Sequence, residues 1–277
     1  MTLQEKIEKY YSSEQKAGIQ EIDPLLKEIL NELNKGNIRA AEPTEDGNWK
    51  VNQWVKKGIL LLFRYGKLED KSLDENFKFF DKDTLPLHEF RTEDNVRIVP
   101  GGSAIRSGSY IAPNVICMPP MYINIGAYVD ERSMIDSHAL VGTCAQIGKN
   151  VHLSAASQVG GVLEPPGASP VIIEDNAFIG GNCGIYEGVK VRRSAILGSG
   201  VILTSSTKVY DIVNERILKS EKGIPLEIPQ DAVVIPGTRA LETAFGKKFG
   251  LSISSPIIIK YRDESVDAKT SLEEALR

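Results

Sequence analysis

The chain has 277 residues and a mass of 30.4 kDa; it is 42% apolar and 25% charged, with formal net charge −4. That balance is the one of an ordinary globular protein, which excludes a fibre or a wholly disordered chain, and the lack of a basic block gives no reason to expect nucleic acid. The longest apolar run, 58–63, is far short of the roughly 20 residues of a membrane span, the start MTLQEKIEKYYSSEQK has no basic-then-apolar signal pattern, and three cysteines make no disulfide framework, so a cytoplasmic protein without a membrane partner is expected.

The first segment, 1–95, reads as a helical domain. Asp23-Pro24 looks like an N-cap followed by proline at the first helical position. Ile22, Leu25, Leu26, Ile29, Leu30 and Leu33 then keep 3–4 spacing up to Gly36. Val51, Trp54, Val55, Ile59 and Leu62 form a second apolar stripe. Such a domain is expected to cover the open end of the repeat array that follows it.

The array occupies 96–211. Stepping by six from Ile105 gives Ile111, Cys117, Ile123, Val129, Ile135, Val141, Ile147, Leu153 and Val159, and a second run goes from Ile173 through Ile179, Ile185, Val191, Leu197 and Leu203 to Val209. Four residues after nearly every anchor stands a small or β-branched residue, among them Ser109, Ala127, Ser133, Ala139, Ala145, Ser157, Ala177 and Ala195; Met121 departs. Neither a helix period nor strand alternation produces this pattern. A short strand and a tight corner every six residues does, with three strands closing a triangular coil of 18 residues and coils stacking by parallel pairing. Gly142, Gly148, Gly160, Gly180 and Gly198 follow their anchors directly, where a permissive backbone is expected to help the corner. The register breaks once, at 164–170, and the shift of two leaves open which face Ile173 continues. Beyond the array, 212–277 reads as a small capping segment, with a strand at Pro256-Ile257-Ile258-Ile259-Lys260-Tyr261 and a terminal helix opened by a capping box at Ser271-Leu272-Glu273-Glu274.

Candidate chemistry is sparse. The histidines are His88, His138 and His152, too scattered in the repeat to make the three converging ligands of a catalytic zinc site. Asp136 follows anchor Ile135, with Met118 and Ser154 one coil away on either side, a setting that suits a partly desolvated base. Arg97, Arg106, Lys149, Lys190, Arg192, Arg193 and Lys208 are the cations available to a ligand's phosphate or carboxylate, and spacing does not choose among them.

The hexapeptide pattern resembles that of left-handed parallel β-helix proteins, most of them acyltransferases; the handedness comes from that resemblance, since ordinary parallel crossovers run the other way. The literal segments Tyr122-Ile123-Asn124-Ile125-Gly126-Ala127-Tyr128-Val129-Asp130-Glu131, Met134-Ile135-Asp136, Val141-Gly142-Thr143-Cys144-Ala145-Gln146-Ile147-Gly148-Lys149-Asn150, Gly160-Gly161-Val162-Leu163-Glu164-Pro165, Val55-Lys56-Lys57 and Lys269-Thr270-Ser271 resemble the tetrahydrodipicolinate N-succinyltransferase family. The resemblance implies a homotrimer with sites between neighbouring prisms, and transfer of succinyl from succinyl-CoA to ring-opened tetrahydrodipicolinate on the route to diaminopimelate and lysine. It implies no metal and no permanently bound cofactor. Arg97 matches the family's substrate-binding arginine, and Asp136 its substrate-binding and catalytic aspartate. A family glutamate is replaced by Gly184, while Glu187 matches a second one, so either Glu187 takes the catalytic role or Asp136 works with water and backbone donors. Arg132 stands where the family usually has glycine, which reads as a surface change. Lys208 and Lys260 are the candidates for the co-substrate's anionic end. An N-acetyltransferase on the same acceptor and a non-catalytic scaffold are the alternatives.

Overall fold

The computed structural model describes residues 1–14, 17–221 and 223–262. From Arg97 the chain winds into a three-sided prism whose sides are parallel sheets of two-residue strands. Val129 pairs with Ile111, Ile135 with Cys117 and Val141 with Ile123, one coil apart in each case. We name the sides the Ile111, Ile135 and Val141 faces. The anchors point inward and, apart from half-buried Ile105 at the start, are buried, as are most of the small residues four positions later, including Ser109, Ser133 and Ser157. Ser133 shows why small and polar is tolerated there: its hydroxyl donates to the Gly148 carbonyl at 2.7 Å and accepts from the Val151 N–H at 3.0 Å.

The corners turn at the third residue after the anchor. Asn114, Arg132, His138, Asn150, Asn176 and Asn182 all sit there with φ between 55° and 65°, a region asparagine tolerates better than most residues. Arg132 thus occupies an exposed left-handed corner, where a glycine would sit without strain. The glycines directly after the anchors serve another purpose than the expected one. A Cβ on Gly142 would lie 2.2 Å from the Gly161 nitrogen, and one on Gly148 2.5 Å from Asp175 Oδ1, so these positions are bare because adjacent coils touch there.

The break at 164–170 leaves the order of the faces intact. Ile173 pairs with Ile147, so the Ile111 face simply continues and the extra residues bulge from the edge it shares with the Val141 face. The prism also outlasts the run that ends at Val209. The chain leaves it for a hairpin, Val209–Asp211 against Arg216–Leu218, and then returns. Glu227–Ile228 stacks on Lys190–Val191, and Ala232–Ile235 on Ile196–Leu197, with Asp231 at the left-handed corner. The expected strand at 256–261 is Ile257–Tyr261, antiparallel to Ala232–Ile235. The terminal helix expected at 271–274 and the 269–271 motif lie outside the described residues.

The N-terminal segment forms α1 (Leu3–Ser12), α2 (Ile19–Asn34) and α3 (Gln53–Tyr65). Helix α2 starts a turn earlier than Asp23-Pro24 predicts, because the Gly18 carbonyl accepts from the Glu21 and Ile22 N–H groups at 3.0 and 3.3 Å. Pro24 then costs only the bond that its missing N–H would make to Gln20. Helix ends at Tyr65. In 66–95 the Asp70 and Asp74 side chains accept the N–H groups of Ser72 and Asn76 at 2.8 and 2.7 Å, turns that compete with helix, and a hairpin of Leu68–Asp70 with Phe80–Lys82 forms instead.

The helical layer lies along a flank of the prism, not across its end. Its partners climb coil by coil: Asn34 to Ser107 (3.1 Å), Arg39 to Gln146 (3.0 Å), Lys56 to the Ala168 carbonyl (2.7 Å) and Trp49 to Glu174 (2.9 Å). Ile125 and Cys144, on the edge between the Val141 and Ile111 faces, are buried in the same core as Ile29, Ile59 and Leu62, and that apolar edge draws the helices to the side. Phe90 and Val96 pack on the prism core where the coil begins.

Candidate active site

Asp136 and Glu187 lie on the two edges that flank the Val141 face. Asp136 follows the Ile135 strand and is half-buried; its Oδ1 accepts the Ser137 N–H at 2.7 Å, which leaves the second oxygen free for a ligand. His152, one coil away on the Ile135 face, stacks on Phe178 with centroids 5.1 Å apart. Burial lowers the pKa of His152, and the Asp136 charge opposes that shift. His138 sits at an exposed corner, and His88 stacks on Phe90 beside the Arg106 carbonyl; among the described residues no three His, Cys, Asp or Glu side chains form a metal-holding group.

Glu187 is exposed at a left-handed corner with φ 53°. Its Oε2 accepts both the N–H (3.0 Å) and the hydroxyl of Ser205, and these bonds hold its carboxyl below the usual range. Glu187 borders an open cleft of about 1090 Å³ between the 160–170 bulge, Thr204-Ser205, Ser220-Glu221 and Gly223-Ile224-Pro225. Within one chain the two carboxylates do not meet. They occupy different edges and are separated by two parallel steps, Val141 to Val159 to Ile185, which amount to about 10 Å along the axis.

Gly184 is buried because the Tyr186 ring lies across it: a Cβ there would sit 2.5 Å from Tyr186 Cε2, so a larger side chain at this position would have to displace the ring.

The cations sort into committed and available. Arg106 makes two 2.7 Å bonds to Asp81, Lys190 holds Glu227 at 2.9 Å, and Arg192 bridges Glu174 and Glu227 at 2.8 and 2.7 Å. Lys149 lies 3.5 Å from Glu131 and Arg193 3.8 Å from Asp175. Arg97 is exposed on the Ile135 face, two parallel steps from the Asp136 strand, and pairs with no carboxylate among the described residues. Lys208 lines a cavity of about 270 Å³ with Arg239, Thr204, Ser206, Thr207 and Ser254. Lys260 lies in the Ile257–Tyr261 strand, opposite Val233 in the ladder, and does not line the cavity that holds Lys208. Sequence reasoning missed Arg239; the hydroxyl run Thr204-Ser205-Ser206-Thr207 beside Lys208 was the only hint of that cavity.

Two family models match the chain: the N-terminal region of tetrahydrodipicolinate N-succinyltransferase over residues 2–65, and the hexapeptide repeat of succinyl-transferase over 170–205. Proteins named 2,3,4,5-tetrahydropyridine-2,6-dicarboxylate N-succinyltransferase from Polynucleobacter asymbioticus and Acinetobacter baylyi are 43% and 44% identical, over 90% and 93% of this chain and 87% and 90% of theirs. The chain belongs to the tetrahydrodipicolinate N-succinyltransferase family. A solved Campylobacter jejuni structure described as a tetrahydropyridine carboxylate N-succinyltransferase aligns with TM-score 0.45 and 16% identity, covering 91% of this chain and 64% of that one. Membership makes the protein an acyltransferase and its coil the left-handed parallel β-helix of this family. No helix among the described residues is long and apolar enough to cross a membrane.

Proposed function

We propose that the protein moves the succinyl group of succinyl-CoA to the amino group of ring-opened tetrahydrodipicolinate, at a site completed by two copies of the chain. The observation that carries this reading is the Val141 face. Its outward residues are Ala104, Tyr122, Leu140, Gln158, Gly184 and Ile202; none is charged, and Tyr122 and Ile202 are 36% and 44% exposed. Parallel sheets are normally covered on both faces, and the Ile111 face already has the helical layer over it. Turning the Val141 face toward a three-fold axis covers it, and brings the Asp136 edge of one copy to the Glu187 edge of the next.

In that arrangement Asp136 takes the proton that the attacking amine must lose, because a free amine is mostly protonated near neutrality. Glu187, kept ionised by Ser205, holds the acceptor's ammonium before that transfer. Arg97 grips a substrate carboxylate, a task suited to the bidentate guanidinium fork. Lys208 and Arg239, with their ring of hydroxyls, suit the anionic groups of the CoA arm. Lys260 belongs to the same end of the prism and would contribute charge at longer range. The two resident substrates are small molecules, and the chemistry described needs no further group.

A thiol-release assay with tetrahydrodipicolinate as acceptor tests the reading. Release with succinyl-CoA that exceeds release with acetyl-CoA by at least about tenfold in kcat/KM is expected. Equal or greater release with acetyl-CoA would make the protein an acetyltransferase, and none with either would remove the acyl-transfer reading.

A further inference from the structure

Tyr186 is seated with unusual care for a residue at an open corner. Its ring rests on two glycines from different coils: a Cβ on Gly160 would lie 2.7 Å from Cδ1, and one on Gly184 would lie 2.5 Å from Cε2 and 2.9 Å from the hydroxyl oxygen. Position 184 points outward from the Val141 face, between Gln158 and Ile202 in the ladder. The phenol oxygen is therefore delivered over the outer surface of that face, beside the cleft that Tyr186 and Glu187 both line. The Tyr10, Tyr122 and Tyr261 hydroxyls donate to Glu21, Asn124 and Asp211, and that of Tyr65 accepts from the Ala17 N–H. Those of Tyr11, Tyr110, Tyr128 and Tyr210 are, among the described residues, unbonded like that of Tyr186 but do not border this cleft. The Tyr186 hydroxyl has no hydrogen-bond partner among the described residues.

A half-buried phenol whose ring fits over two bare glycines, with its donor unspent at the border of a cleft, is placed to act as a hydrogen-bond donor to a ligand there. We infer that Tyr186 is a catalytic residue whose hydroxyl donates to the carbonyl oxygen of the bound thioester. The inference rests on the acyl-CoA reading of the cleft. As the amine nitrogen forms its bond to the carbonyl carbon, the C=O π pair moves onto oxygen, and the developing oxyanion strengthens the bond from Tyr186. The pair returns, the C–S bond breaks and CoA leaves as the thiolate. Of the two protons the ammonium nitrogen gives up, the one Asp136 takes before attack passes to solvent, and the one it takes from the nitrogen of the adduct goes to the thiolate. Tyr186 keeps its own proton throughout.

Tyr186→Phe removes one oxygen and leaves the ring seated. Loss of a single oxyanion donor predicts a kcat lower by about 100-fold, with the KM for succinyl-CoA changed by less than about threefold. Melting temperature and oligomeric state should stay at wild-type values. Gly184→Ala, whose new methyl displaces the ring, should also lower kcat, yet add little to the loss when combined with Tyr186→Phe, since both act through one hydroxyl. Wild-type kcat in Tyr186→Phe would overturn the inference, as would a fall in stability with kcat unchanged, which would make the tyrosine a packing residue. If the wild-type protein itself releases no thiol from any acyl-CoA, the functional reading fails and the assignment of Tyr186 falls with it.

Discussion

Asp136 and Glu187 are both corner carboxylates, but their surroundings suit them to different work. Asp136 accepts one backbone N–H at 2.7 Å and keeps an oxygen open, whereas Glu187 spends its Oε2 on two donors of Ser205. A carboxylate so held is a weak base and a dependable anion. Asp136→Asn should therefore lower kcat by at least about 100-fold while gel filtration shows the assembly intact, because no neighbouring coil bonds its side chain. Glu187→Gln should lower kcat/KM for the acceptor by about tenfold in the thiol-release assay. It should leave the acid limb of the pH–rate profile where it was, since Ser205 holds the Glu187 carboxyl below its usual range and it is ionised throughout the assay. The places of Asp136 and Arg97 on the coil were legible in the sequence because Asp136 directly follows an anchor of the period of six, Arg97 stands at the start of the array, and both lie inside motifs. The seat of Tyr186 was not, because it depends on glycines at 160 and 184 that only stacking brings under its ring.

At the scale of elements, the coil is held by repeated contact between rungs, and its weak points are where rungs come closest. Gly142→Ala would drive a methyl into the Gly161 backbone and should cost about 3 kcal/mol or more, read as a lowered melting temperature. The last rungs depend on a clamp instead. Buried Asp211 accepts from Asn214 (3.0 Å), Arg216 (2.9 Å) and Tyr261 (2.8 Å), tying the Val209–Asp211 hairpin to Ile257–Tyr261. Burial alone would raise its pKa, but these bonds bring it down to about 2 from 3.8. A depressed carboxyl stabilises the fold above its unfolded pKa and loses that effect as pH falls through the folded value. Asp211→Asn should thus melt lower than wild type near neutrality, with the gap closing between about pH 4 and pH 2. The period of six made the array legible, and the same signal continues at Ile228, Ala232 and Val234. It was missed because the hairpin excursion hides the register. The seat of the helices was missed for a different reason: an apolar stripe tells which side of a helix is buried, not which surface buries it.

For the whole molecule, the decisive surface is the uncharged Val141 face with one carboxylate on each flanking edge. A single prism leaves Leu140 half-buried in the middle of that face. Leu140→Glu should yield a folded protomer that elutes as a smaller species and has lost turnover, because a charge in the middle of a covered face opposes assembly. Nothing in one chain's repeat spells out which face meets a neighbour, since that depends on which sides the rest of the chain has already covered. Co-expression of two differently tagged variants probes the shared site most directly. Asp136→Asn damages one edge and the double variant Tyr186→Phe/Glu187→Gln the other, and purification through both tags isolates mixed rings. In a cyclic trimer every mixed ring contains one undamaged site, so turnover of about one third of wild type is predicted, far above either variant alone. Mixed rings no more active than the pure variants would mean that each chain carries its own complete site, contrary to the arrangement argued above.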